Sequence, residues 1–272
     1  MPGRRQLFQL IVFIFVLMIG NSFRNVGSAD GDASNAHPRN TNPKNNAVTA
    51  DALTGAWMLK DASGEQVLIF IDNYFTQTTY SVAAKKFFST RGGTYSVSGG
   101  KFTVNFEFST PDKSMVGTAS DFTWSVQGNK LTADINTLPS GEKAGSRAVF
   151  TRIDDGSAAL AGNWQITGRM QGDKMNEMRP GARKTIKILS GTRFQWAAIN
   201  TETKEFSGTG GGNYTFKDGK YTENIEFFSR DSSRVGASLS FEGSVENGKW
   251  IHKGLSSRGE KIHEVWSRSV QP

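Results

Sequence analysis

The stretch GGTYSVSGGKFTVNFEFS, Gly92 to Ser109, returns with changes as GGNYTFKDGKYTENIEFFS, Gly211 to Ser229. Aligned without a gap, Gly92–Leu131 and Gly211–Trp250 share Gly92, Tyr95, Lys101, Asn105, Glu107, Asp112, Gly117, Phe122 and Lys130 with their counterparts. The openings match as well, LTGAW (Leu53–Trp57) against LAGNW (Leu160–Trp164), and so do the closings, VFTR (Val149–Arg152) against VWSR (Val265–Arg268). Each copy is roughly a hundred residues, the length of a domain and too long for a solenoid repeat. The chain is therefore a tandem duplication, with one body over 51–154, a second over 160–270, and Asp154–Ala159 as the joint.

Within each copy the local pattern is β. Phe102, Val104, Phe106 and Phe108 alternate with Thr103, Asn105 and Glu107, a period of two. Phe122, Trp124 and Val126 alternate likewise, and turn signals such as Ser98-Gly99-Gly100, Asp218-Gly219 and Glu246-Asn247-Gly248 recur every ten or so residues. This spacing predicts an antiparallel meander of about eight strands per copy, which removes its own edges by closing into a barrel. Only Ser81–Phe88 and Gly172–Arg179 suit a short helical turn. The predicted class is all-β, two tandem antiparallel up-and-down barrels.

The N-terminus reads differently. Arg4 and Arg5 precede the apolar run Leu7–Gly20, and Gly27-Ser28-Ala29 supplies small residues for cleavage, so residues 1–29 are predicted to be a secretory signal peptide. The run is shorter than the ~20 residues a membrane helix needs. Residues 30–50, rich in Asn, Asp, Ser and Pro, are predicted to be a disordered spacer. With no Cys there is neither a disulfide nor a lipidation site, so the mature protein is expected to be secreted or periplasmic and stable by burial alone. The basic residues behind the formal +7 are scattered, and Arg4, Arg5 and Arg24 leave with the leader. No basic stripe with interleaved aromatics points to nucleic acid.

Gly55-x-Trp57 with Arg152, and Gly162-x-Trp164 with Arg268, resemble the lipocalin and wider calycin arrangement. There a Gly-x-Trp on the first strand and an Arg on the last meet at the closed end of a barrel. That resemblance implies that Trp57, Arg152, Trp164 and Arg268 are structural closure residues, each guanidinium lying over an indole. The second copy also resembles secreted Bacteroidetes-type lipocalin-like domains of unknown function, through GGGNYTFKDGKYTENIEFFSRDSSRVG and EVWSR. The copies are shorter than a typical lipocalin, and its usual helix after the barrel is not evident.

Candidate ligand-binding residues concentrate in the second copy. Glu223 replaces Val104 on the face predicted to point inward, where a carboxylate needs a partner. The opposite face repeats Thr103, Asn105 and Glu107 as Thr222, Asn224 and Glu226. Either this face lines a polar cavity or it is an outer hydrogen-bonding ladder, and pattern alone leaves both open. Arg193 can meet an anionic group, with Phe194, Trp196, Tyr214 and Trp250 as an aromatic wall. A two-residue turn near Ser257-Arg258 would set His252 opposite His263, with Glu264 on the other face, which is too little to assign a metal. No Cys nucleophile, Gly-x-Ser-x-Gly elbow or phosphate loop is present, and no cofactor is implied.

The reading that follows is a secreted protein binding a small, partly apolar molecule in its second barrel, the first copy being the more structural. The alternatives are a barrel hydrolase or isomerase using Glu223 or Glu226 with His252, and an envelope module that binds protein or glycan.

Overall fold

In the computed structural model, which describes residues 48–135, 146–256 and 258–269, each copy of the repeat folds into its own antiparallel sheet. The predicted leader, and the spacer as far as residue 47, lie outside the described residues. The first body starts at Val48, which is buried, and at a short helix α1 (Ala50–Leu53) capped by the Thr49 hydroxyl. Its strands are β1 (Gly55–Asp61), β2 (Gly64–Ile71), β3 (Tyr74–Ser81), β4 (Lys86–Ser98), β5 (Lys101–Ser109), β6 (Ala119–Phe122), β7 (Trp124–Gln127), β8 (Lys130–Ile135) and β9 (Ser146–Asp154). The second body has β10 (Gly162–Gln171), β11 (Lys174–Glu177), β12 (Arg183–Leu189), β13 (Arg193–Asn200), β14 (Glu205–Lys217), β15 (Lys220–Phe228), β16 (Ser238–Glu246), β17 (Lys249–Leu255) and β18 (Lys261–Arg268).

Both sheets close. β1 pairs with β9, and β10 pairs with β18. In the first barrel the sixth stave is broken at Thr123 into β6 and β7, whereas its counterpart β16 is continuous. β11 is an extra strand that pairs only with the far end of β10. The predicted helical turns do not form: Val82–Lys85 is a turn, and Gly172-Asp173 turns the chain into β11. The helical turns instead lie at Lys113–Met115 and Ser232–Arg234. There Asp112 and Asp231 each accept from the backbone N–H two residues on, an Asx turn present in both copies.

Glycine is retained at Gly93 and Gly212 because the barrel bends there. Each sits at a bulge, where a Cβ would come within 1.9 Å of Asn105 O or 2.0 Å of Asn224 O. At the closed end, Trp57 stands opposite Arg152 and Trp164 opposite Arg268 in register. The guanidinium carbons lie 3.9 Å and 4.1 Å from the indole centroids. Each indole N–H donates to a carbonyl four residues earlier, Leu53 O or Leu160 O, at 2.8 Å. Arg152 also donates to Thr54 O and Ala52 O, both at 2.7 Å, tying the entry turn to the last strand.

The barrels pack on each other through their outer faces. An apolar layer of Val67, Ile69, Ile71, Tyr80 and Phe108 meets Ile186, Ile188, Ala197, Ile199 and Phe227. The contacts are reciprocal: β4 touches β15, β5 touches β14, and β2 touches β12. Phe227 lies 6.3 Å from Phe87, and Phe108 lies 6.1 Å from Phe206, the same pair with the copies exchanged. The interface is thus an isologous dimer contact fused into one chain. Gln195 sits at its centre, accepting from Thr78 and donating to Thr90 and Thr209. Asp154, at the joint, accepts from Ser190, Gly191 and Thr192.

Candidate functional site: a charged cluster inside the second barrel

The interiors of the two barrels differ in kind. The first is apolar, filled by Trp57, Phe70, Phe75, Tyr95, Phe102 and Trp124 with Leu68, Val104 and Ala133. At the positions of Leu68, Val104, Ala133 and Ala148 the second barrel carries Lys187, Glu223, His252 and Glu264. The pairings establish these equivalences. Trp57 faces Leu68 as Trp164 faces Lys187, and Ala133 faces Ala148 as His252 faces Glu264. All four are buried, at 5%, 5%, 2% and 6% exposure.

They form two connected pairs. Lys187 Nζ donates to Glu223 Oε1 at 2.6 Å, and Tyr221 OH donates to the same oxygen at 2.9 Å. The ammonium also lies 5.1 Å from the Trp266 ring, 5.3 Å from Trp250 and 5.4 Å from Tyr221, a cation inside an aromatic cage. His252 Nδ1 lies 3.4 Å from Glu264 Oε2, while Arg169 donates to Glu264 Oε1 at 2.5 Å. Arg169 is more than half exposed, so charge runs from the rim into the barrel, beside β11.

Burial lowers the pKa of His252, with Lys187 acting in the same direction, so the imidazole is neutral at pH 7. Burial alone would raise the Glu264 carboxyl, but His252, Lys187 and Arg169 outweigh it and hold the group down to about 2. Burial, reinforced by the Glu223 carboxylate, pushes the Tyr221 phenol well above its ordinary value. Neither ring nitrogen of His252 has a hydrogen-bond partner in the protein, and neither do the buried indole N–H groups of Trp250 and Trp266. Groups left so cost on the order of 1–3 kcal/mol each unless a ligand or water meets them.

The residues expected to bind a ligand divide between two faces. Phe194, Tyr214, Glu223, Trp250 and His252 are buried in the second barrel, and Trp196 is partly exposed at its wall. Arg193, Asn224 and Glu226 point the other way, into the layer between the barrels. There Glu226 accepts from Arg193 at 2.5 Å, from Tyr80 at 2.6 Å and from Asn213 at 2.9 Å. Asn224 donates to Asn213 Oδ1 at 2.8 Å. The Arg193 guanidinium and the Phe194 ring therefore serve separate environments, and Glu226 stands across the sheet from His252.

The predicted histidine pair is not formed. The β17–β18 turn leaves His252 opposite Glu264 and His263 opposite Lys253, one residue out of the expected register. A one-residue slip exchanges faces, so Glu264 comes inward and His263 goes out. Among the described residues no group of three His, Cys, Asp or Glu is placed to hold a metal. Lys187 was missed because Ile186 and Ile188 flank it, and the rule of apolar side inward would turn it to solvent. The repeat carried the signal that finds it, since the gap-free alignment extended backward sets Lys187 against Leu68.

Fold and interior together define an all-β protein of two tandem barrels, one with an apolar filling and one with a buried charge cluster. Residues 159–272, which span the second barrel, are similar to a family described as a domain of unknown function, DUF4488. No curated protein matches the chain.

Proposed function

We propose that the second barrel binds a small, partly apolar molecule and that the first barrel is its structural partner. The observation that carries this reading is the replacement of Leu68, Val104, Ala133 and Ala148 by Lys187, Glu223, His252 and Glu264 within one duplicated fold. The first copy closes and packs with the apolar set, so barrel formation does not require the charged one. Buried charge that stability does not demand is a mark of function. The closed half of the barrel is filled by its own rings, Trp164, Trp250, Tyr221 and Tyr214. The ligand's place is the rim half, with its polar end reaching His252, whose ring nitrogens have no partner in the protein. Its apolar body lies against Trp196, Phe228, Leu239 and Ile262, which are only partly buried. The leader-like residues 1–29 place this binding outside the cytoplasm in our reading, and no helix among the described residues is long and apolar enough to cross a membrane.

The test is native mass spectrometry of the mature protein purified from its own host, beside a variant carrying Lys187→Leu, Glu223→Val, His252→Ala and Glu264→Ala. An extra mass present on the wild type, lost on denaturation and absent from the folded variant, is the expected result. An extra mass retained by the variant would place the ligand elsewhere, and a bare wild-type protein would remove the support for a carrier.

A further inference from the structure

A second site lies outside both barrels. Between the outer face of β4–β5 and that of β10–β12 is a cleft of about 340 Å³, within the roughly 300–1,000 Å³ range of small-molecule sites. Its wall on the first barrel includes Asn105, Glu107 and Phe106, and its wall on the second includes Asn163, Gln165 and Lys184. Thr201 and Ser269 close its ends.

Two observations mark it as more than a packing gap. Asn163 is 1% exposed, yet its Oδ1 has no hydrogen-bond partner, and the Ser269 hydroxyl is also buried without one. Both residues line the cleft, which makes them unsatisfied groups on its surface. The second observation is asymmetry. Exchange of the two copies maps this cleft onto the opposite side of the interface, where Asn163 and Gln165 become Ala56 and Met58. Thr201 and Ser269 become Val82 and Ile153. The mate side is sealed by apolar packing of Ala56 and Met58 and by Arg193 on Glu226. The open volume thus lies on the side where Asn163, Gln165, Thr201 and Ser269 stand in place of apolar residues.

We infer that this cleft is a binding site for a neutral, polyhydroxylated molecule of monosaccharide to disaccharide size. Its two charges cancel: Glu107 accepts from Lys184 at 2.7 Å and from Tyr74 at 2.5 Å, so neither is left to select an ion. The free capacity is that of carboxamides and hydroxyls. Each carboxamide offers a donor and an acceptor side by side, the pattern that a vicinal diol completes. The inference is independent of the barrel interior, because the cleft uses none of its residues.

The test is saturation-transfer NMR of the full chain with glucose, galactose, mannose, N-acetylglucosamine, maltose and lactose, followed by calorimetry on any sugar that binds. Gluconate serves as the anionic control. The variants are Asn163→Ala with Gln165→Met, which restores the residues of the sealed side, and Thr201→Val as a milder change. Saturation of ring protons of a neutral sugar is expected, weakened at least about tenfold by the paired substitution and measurably by Thr201→Val. Binding should be unchanged in Lys187→Leu with Glu223→Val. No binding by any neutral sugar, preference for gluconate, indifference to the cleft variants, or loss in the barrel variant would each overturn the site.

Discussion

Lys187 Nζ stands 2.6 Å from Glu223 Oε1 inside the second barrel, and the matching positions of the first barrel hold Leu68 and Val104. One chain therefore contains both solutions to the same interior, an ion pair and an apolar contact. Removing one ion leaves the other buried and uncompensated, at a cost of about 3–5 kcal/mol, whereas replacing both with apolar groups is often neutral or stabilising. Lys187→Leu and Glu223→Val are each expected to lower stability by that order in urea unfolding, and the double variant is expected to recover most of it. Additive losses in the double-mutant cycle would show that the pair is not coupled.

Acid should destabilise the protein in two stages. The folded pKa of His252 is lowered from 6.5, so below about pH 6.5 the unfolded chain binds a proton that the folded one refuses, and stability falls as pH falls. Glu264, held at about 2 against an ordinary 4.5, adds its own loss from about pH 4.5 downward. A melting-temperature series from pH 8 to 4 should show the first stage flattened by His252→Ala. His263, also lowered but close to the surface, should matter less. An unchanged slope in His252→Ala would assign the first stage to another group.

The closure pair should not tolerate a lysine. Arg152 covers the Trp57 ring while donating to two carbonyls, which an ammonium on a flexible stem does not reproduce. Arg152→Lys is expected to cost about 1 kcal/mol by leaving a partly buried carbonyl unmet. Trp57→Ala is expected to cost about 3–5 kcal/mol. Chemical denaturation of both variants checks this, and a neutral Arg152→Lys would mean that water serves the carbonyls equally well.

Arg193 and Trp196, three residues apart on β13, should separate by phenotype. Arg193→Ala strips Glu226 of its cation in the layer between the barrels, so it should lower the melting temperature and leave barrel ligand binding intact. Trp196→Ala, at the partly exposed barrel wall, should weaken ligand binding with a smaller effect on melting. Equal losses of stability in both would make Trp196 a core residue.

The mature N-terminus is a separate matter, settled by Edman or mass-spectrometric sequencing of the protein from its host. A start near Asp30 is expected from the Gly27-Ser28-Ala29 site. A start at Met1 or Pro2 would mean that the apolar run is retained.

Much of this protein is determined by its sequence alone. The duplication, the period-two strands and the Gly-x-Trp and Arg positions state the two barrels and their closure, because alternation, turn chemistry and repetition are local and survive without knowledge of the partners. Glu223 was legible because the repeat sets it against Val104, on the face of an alternating strand that carries the aromatic residues. Lys187 lies on a strand buried on both faces, with isoleucines packed against the other barrel, so the usual link between polarity and solvent is inverted there. Glu264 depended on the length of one turn, and a single residue of register moves a carboxylate from the surface to the core. The enclosure of Arg193 between the barrels, and the cleft beside Asn163, exist only once the two barrels pack against each other. Those features are long-range, and tertiary structure decides them because they depend on which faces two distant segments share.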